Sequence, residues 1–192
     1  NIGNGDTVSH ANSLPGSVTV NLTGSSALST DGAVIRLNNA IIDVASGSSL
    51  IGGFWDLDDA DLTFDSGAIC TVANWEQKDV NIFTFNLGAS GFTALTPSTL
   101  RIGGGGTHNP GSIQNATYTV DMAAYAGGSQ IITLVDFTSD GASMDNTKFQ
   151  TAGGLTVDNP GSHTARFFWD DTAEAIKLNI DPTVTWDAGG GD

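Results

Sequence analysis

The chain has 192 residues and is 39% hydrophobic, so it is long and apolar enough to bury a core and is not a disordered chain. Its 21 acidic residues outnumber 6 basic ones and leave a net charge of −15, which repels nucleic-acid phosphates and anionic lipid. We therefore expect no nucleic-acid partner. We also expect no membrane insertion, because no apolar run reaches transmembrane length.

The beginning of the chain is polar. Residues 1–31 are rich in Gly, Ser and Asn, and residues 17–22 form one alternating polar and apolar run. Such alternation over a short segment predicts a half-buried β-strand. We interpret this region as a polar N-terminal cap whose strand leads into the next part of the fold.

A twenty-residue repeat follows, in segments that begin at Ile35, Trp55 and Trp75. The aligned sets are Ile35, Trp55 and Trp75; Ala40, Ala60 and Val80; Ile42, Leu62 and Ile82; and Gly47 with Gly67, followed by Gly88 after one inserted residue. A fixed period of this size predicts stacked coils, and strand-built coils of about 20 residues predict a β-solenoid. We assign residues 32–114 to the coils.

The repeat fades after Ser90, and longer alternating runs replace it. We predict strands at residues 98–102, 116–121, 130–137, 155–157, 163–169 and 175–180, the last two joined in a hairpin through residues 170–172. The end of a solenoid needs covering, because an unpaired strand edge invites aggregation. We interpret residues 115–182 as a β-rich capping region and residues 183–192 as a linker.

Together these patterns predict an all-β protein, a right-handed β-solenoid (β-helix) with a β-rich C-terminal cap. The alternative is a β-sandwich or jelly roll, since short strands at regular spacing also build those folds.

Tryptophan is the first candidate for ligand binding. Trp55 and Trp75 share one column of the predicted stack, so their rings lie in a ladder about 4.8 Å apart. Directed outward, the pair would form an aromatic platform for sugar rings. Directed inward, it would fill the core, as the apolar Ile35 in the same column favours. Trp169 belongs to an aromatic run with Phe167 and Phe168, of which at least one ring must face outward.

Aspartate is the candidate for metal binding. Asp59 and Asp79 share a column beside the one that holds Asp58 and Lys78. Stacked carboxylates repel each other unless a cation lies between them, and calcium prefers oxygen ligands. We therefore consider a calcium site at Asp58, Asp59 and Asp79. The alternative is a solvated turn partly neutralised by Lys78.

We assign no catalytic residue. The basic residues are scattered and no general base converges with a charge neutraliser, as polysaccharide cleavage would require. Cys70 aligns with Leu50, which predicts a buried apolar thiol.

Three segments carry a family resemblance. Residues 184–192 read VTWDAGGGD, residues 60–68 read ADLTFDSGA, and the closing hairpin runs from Phe167 to Leu178. The tail resembles the opening of the autotransporter-associated β-strand repeats of secreted bacterial proteins, and the rest resembles the β-helical passenger-like regions of the same proteins. This resemblance implies a module of a larger secreted protein, located outside the cell or on its surface, and it carries no catalytic residues.

The function we expect is that of a non-catalytic extracellular module that binds carbohydrate or adheres to a surface, with a polysaccharide or cell-surface glycan as partner. Two alternatives remain. One is a structural or self-assembling surface protein that associates through its strand edges. The other is a polysaccharide-degrading enzyme.

Overall fold

A computed structural model describes residues 18–78, 80–102, 113–137 and 144–182. The predicted linker of residues 183–192 lies outside these ranges. The strands are β1 Val18–Leu22, β2 Ala27–Asn38, β3 Ala40–Val44, β4 Ser49–Asp58, β5 Asp61–Asp65, β6 Ile69–Lys78, β7 Asn81–Asn86, β8 Thr99–Ile102, β9 Ala116–Asp121, β10 Gln130–Asp136, β11 Gly154–Asp158, β12 His163–Asp170 and β13 Ala175–Pro182. One α-helix, α1, spans Asn146–Phe149, and a 3₁₀ turn spans Ile113–Asn115.

The strands form two parallel sheets and one antiparallel sheet. The six-stranded sheet has the order β1-β3-β5-β7-β9-β11, and the four-stranded sheet has the order β2-β4-β6-β8. From β2 to β9 successive strands alternate between these two sheets. Strands β10, β13 and β12 form the antiparallel sheet, which includes the predicted closing hairpin. The all-β prediction is confirmed.

The register of the first coils agrees with the repeat. Trp55 pairs with Trp75, Leu50 with Cys70, and Asp58 with Lys78. These partners are twenty residues apart in the sequence, so the period corresponds to one strand-to-strand step within a sheet.

The register predicted for the third coil is wrong. Leu62 pairs with Phe83 rather than Ile82, because the extra residue of this coil lies before β7 and not near Gly88. The inward residues of β7 are consequently Asn81, Phe83 and Phe85, and Ile82 is exposed.

Short turns connect the sheets, and their residues suit the backbone that the turns require. Asn39 and Asp59 have φ values of 53° at equivalent positions, just before β3 and β5. Asn and Asp tolerate this left-handed conformation better than most residues because their short polar side chains can bond locally. Gly47 and Gly67 adopt φ values of 78° and 89° in the next turn, which a side chain would strain.

The core lies between the sheets and contains a continuous series of aromatic rings. Trp75 contacts Phe83 with ring centroids 5.2 Å apart, and Phe83 contacts Tyr118 at 5.3 Å. Tyr118 contacts Phe149 of α1, which reaches Trp169 of the antiparallel sheet. These ring contacts join the two parallel sheets to the antiparallel sheet through one apolar interior.

The antiparallel sheet is also hydrogen-bonded to the coil region. Leu95 N–H donates to the carbonyl of Leu134 at 2.9 Å, and Asp136 N–H donates to the carbonyl of Leu95 at 2.8 Å. The parallel sheet itself extends past the point where the sequence repeat fades, because β9 and β11 continue it. Within the described residues, no helix is long and apolar enough to cross a membrane.

Candidate functional site

The three tryptophans proposed for ligand binding lie in the core. Trp55, Trp75 and Trp169 are 2%, 3% and 3% exposed. Of the two interpretations of Trp55 and Trp75, burial therefore favours the interior one, and the Trp75 ring packs beside Phe64 and Phe83. A ring this buried offers no face to a sugar in this conformation.

Trp169, the third aromatic candidate, is buried because side chains alternate between the two faces of its strand. In β12, Phe167 and Trp169 point inward, and Phe168 between them is the ring that turns toward solvent. Asn146 at the start of α1 accepts a hydrogen bond from the backbone N–H of Trp169 at 3.0 Å. The side chain of Gln150 donates to the carbonyl of Phe167 at 3.1 Å. These two side chains cover part of the edge of β12.

The proposed calcium ligands are only partly described. Asp79 lies outside the described residues. Asp59 is exposed, and its Oδ1 accepts a hydrogen bond from the backbone N–H of Val80 at 3.3 Å, so one of its oxygens supports the turn. Among the residues that the structure covers, no three acidic, His or Cys side chains group closely enough to hold a metal ion. Calcium binding stays a prediction.

Cys70 is buried as expected, at 2% exposure, on β6. Burial raises the pKa of its thiol to about 12, with a small opposing effect from the backbone N–H of Val72. Since the thiolate is the reactive form, this cysteine is inert in the folded protein.

A charged row crosses the four-stranded sheet. Arg36, Asp56, Glu76 and Arg101 are in register on β2, β4, β6 and β8. Asp56 and Glu76 are each 6% exposed. Positions 36, 56 and 76 follow the twenty-residue period, so the repeat itself contained the signal for this row, which the sequence analysis missed.

In register order, the two acids on β4 and β6 stand between Arg36 on β2 and Arg101 on β8. Carboxylates one strand apart, about 4.8 Å, also approach the spacing of about 5–5.5 Å used by retaining glycosidases. However, the burial of both acids leaves no room for a sugar ring against them, so we assign the row a structural role.

The outer face of the six-stranded sheet is the broadest regular surface among the described residues. Because side chains alternate, its outward positions form three rows across the strands. The first row is Thr19, Ile41, Asp61, Ile82, Thr117 and Gly154; the second is Asn21, Asp43, Thr63, Thr84, Thr119 and Thr156; the third is Asp65, Asn86, Asp121 and Asp158. We call these sixteen residues the Thr–Asp face.

Every side chain on the Thr–Asp face is short. The face contains Thr, Asp, Asn, Ile and Gly, and no aromatic ring, Lys or Arg. In the second row, Thr63, Thr84, Thr119 and Thr156 stand on four consecutive strands. Neighbouring strands lie about 4.8 Å apart, so this row presents hydroxyl groups at a regular interval across the sheet.

Hydrogen bonds fix two aspartates of the third row. Asn86 Nδ2 donates to Asp65 Oδ1 at 2.8 Å, and Asn159 Nδ2 donates to Asp121 Oδ1 at 2.9 Å. In the first row, burial and the neighbouring negative charge of Asp59 raise the pKa of Asp61. Hydrogen bonds thus hold the carboxylates of Asp65 and Asp121 in place. The sequence did not reveal this face because half of its strands lie outside the repeat.

The comparisons with known proteins identify no relative. No protein-family model, no curated protein and no solved structure matches this chain.

Proposed function

We propose that this protein is a non-catalytic adhesive module of the extracellular space that binds a polysaccharide or cell-surface glycan through the Thr–Asp face. The observation that carries the proposal is the row of four in-register threonines on a sheet face whose outward side chains are all short. Hydroxyl and carboxylate groups donate to and accept from sugar hydroxyls, and a repeating surface suits a repeating polymer.

We further infer that the two parallel sheets are the walls of a β-solenoid and that residues 115–182 act as its cap. The alternation of successive strands between the sheets and the twenty-residue register support this interpretation. A solenoid displays the same side-chain position once per coil, which is how extended binding surfaces arise in repeat proteins. The resemblance to secreted β-helical proteins and the charge of −15 support an extracellular location.

Removal of two hydroxyl groups from the threonine row tests the proposal. The T84V/T119V variant keeps the branched shape of both side chains but loses their hydroxyls, so we expect weaker retention on the polysaccharides that bind the wild-type protein. The matched control is T71V/T133V, which makes the same change off the face, on β6 and β10. A panel of immobilised polysaccharides is the measurement. The proposal fails if the wild-type protein binds none of them, or if the control variant loses as much retention as T84V/T119V.

A second candidate function is self-assembly into a structural surface element. It is favoured by the strand order, in which β1 and β11 end the six-stranded sheet while β2 and β8 end the four-stranded one. Strand edges are natural sites of pairing between copies. Light scattering over a concentration series tests this candidate, and a monomer at every concentration argues against it.

A further inference from the structure

The basic residues of the protein lie away from the Thr–Asp face. Five of the sixteen residues on the Thr–Asp face are aspartates, namely Asp43, Asp61, Asp65, Asp121 and Asp158. None of the six basic residues of the chain lies on the strands of that sheet: Arg36, Lys78 and Arg101 are on the four-stranded sheet, Lys148 is in α1, and Arg166 and Lys177 are on the antiparallel sheet. All of the charged residues on the face are therefore acidic.

The rows of this face do not neutralise their own charge. Asp121 on β9 and Asp158 on β11 are direct register partners at one end of the third row. Asp61 is half-buried and lies near Asp59, and both burial and that charge disfavour its ionised form. Like charges at neighbouring ladder positions destabilise a sheet. A partner that brings positive charge to this face removes that repulsion.

The shape of the face selects the kind of cationic partner. Protein interfaces depend on aromatic and Arg anchors seated in pockets, and the outward positions of these six strands supply neither. A sheet face that repeats the same short polar groups from strand to strand instead suits a polymer that repeats one chemical unit.

We propose, building on the glycan-binding function above, that the ligand of the Thr–Asp face is a polysaccharide with free amino groups. Its protonated amines lie over the aspartates of the first and third rows, and its hydroxyl groups bond to the threonine row between them. Acidic polysaccharides are repelled by the same charges, and neutral ones keep only the hydroxyl contacts.

The experiment compares two soluble ligands that differ at one group of each sugar, which is a protonated amine in one ligand and a neutral acetamide in the other. These are oligomers of β-1,4-linked glucosamine and the fully N-acetylated oligomers of the same length, titrated at mildly acidic pH, where the amines are protonated. We expect the amine form to bind at least about tenfold more tightly, since several exposed charge pairs act together, and we expect added salt to weaken it.

Two triple variants locate the effect. D43N/D61N/D158N removes three charges from the face, and D136N/D171N/D181N removes three charges elsewhere, so both have a net charge of −12 where the wild-type protein has −15. We expect the face variant to lose about tenfold in affinity for the amine form and the control variant to keep wild-type affinity to within about twofold.

Three other outcomes would overturn the inference, and they separate it from the proposed function. If both oligomers bind equally and salt has no effect, the preference for amino groups is overturned. Glycan binding itself is not contradicted by that result, and the T84V/T119V variant tests it. Equal losses in the two triple variants show attraction by net charge and not by the face. Binding of neither oligomer overturns the inference, and binding of no polysaccharide in the panel overturns the proposed function as well.

Discussion

The side chains of Gln77 and Tyr118 hydrogen-bond to each other inside the core and connect the two parallel sheets. Gln77 Nε2 donates to the Tyr118 hydroxyl at 2.9 Å, and that hydroxyl donates to Gln77 Oε1 at 3.1 Å. Both residues are buried, on β6 and β9 respectively. A buried polar pair is stable only while both partners are present, because each would otherwise lose its hydrogen bonds to water without replacement.

Replacement of Tyr118 tests this pair. We expect Tyr118→Phe to lower the free energy of unfolding by about 1–3 kcal/mol, because the Gln77 amide loses its partner in a dry core. The second change in Y118F/Q77L removes the orphaned amide and should recover part of the loss. Urea unfolding followed by tryptophan fluorescence measures both effects. Tyr125→Phe is the control at a half-exposed tyrosine, whose hydroxyl donates to the Gly128 carbonyl and accepts from Gln130 Nε2. It should cost less than Tyr118→Phe, because water can replace the hydrogen bonds of an exposed group. A Tyr118→Phe variant as stable as the control would contradict the expectation.

Asn81 closes the turn that contains the extra residue of the third coil. It is fully buried, and its Oδ1 accepts from the backbone N–H of Ala60 at 3.0 Å. Its Nδ2 donates to the carbonyl of Leu57 at 3.4 Å. We expect Asn81→Ala to cost about 1–3 kcal/mol of stability, because buried backbone groups lose a partner.

The matched control for Asn81 is Asn86, at the other end of the same strand. Asn86 faces outward and bonds to the half-buried Asp65, so we expect Asn86→Ala to cost clearly less. Thermal unfolding of both variants is the measurement. Equal shifts in Tm would mean that the amide of Asn81 does not hold the turn.

The hairpin between β12 and β13 gives a pH dependence through Asp170. Lys177 Nζ donates to Asp170 Oδ2 at 2.6 Å, and the backbone N–H groups of Ala173 and Thr172 donate to Oδ1 at 3.0 Å. These contacts lower the pKa of Asp170 from 3.8 to about 2. Because the pKa is lower in the folded state, the contribution is present above the unfolded pKa, near 3.8, and is lost as the pH falls through 2.

Comparison of wild type with Asp170→Asn isolates that contribution. We expect the wild-type protein to have the higher Tm above pH 4 and the difference to shrink between pH 4 and pH 2. Asp171→Asn, which removes the neighbouring charge in the same turn but leaves the Lys177 contact of Asp170 intact, is the control. A difference in Tm that stays constant down to pH 2 would contradict the assignment.

The calcium hypothesis has a direct test. If a calcium ion binds only the folded protein at Asp58, Asp59 and Asp79, it stabilises that state, and a chelator should lower Tm. We expect D58N/D59N to lower Tm in calcium and to abolish the effect of the chelator, because two of the three ligands are lost. An identical wild-type melting curve with calcium and with chelator would remove the hypothesis.

Prediction from the sequence succeeded where a pattern directly reflects the alternation of side chains along a strand or the spacing between paired strands. The alternation of residues 116–121 and 175–180 predicted β9 and β13, and the pairing of Leu50 with Cys70 followed from their separation. It failed at the third coil. One inserted residue before Asn81 moved Ile82 out of the column predicted with Ile42 and Leu62 and onto the outer face. The side-chain period of a strand is two, so a shift of one residue reverses every side chain.

The sequence by itself therefore determined the all-β class, the twenty-residue register and the column that Trp55 shares with Trp75. Only the tertiary structure decided which way that column points, because burial depends on what packs against a strand and not on its own alternation. It also decided the membership of the Thr–Asp face. Thr84, Thr119 and Thr156 are far apart in the chain, and hydrogen bonds between β7, β9 and β11 bring them into one row.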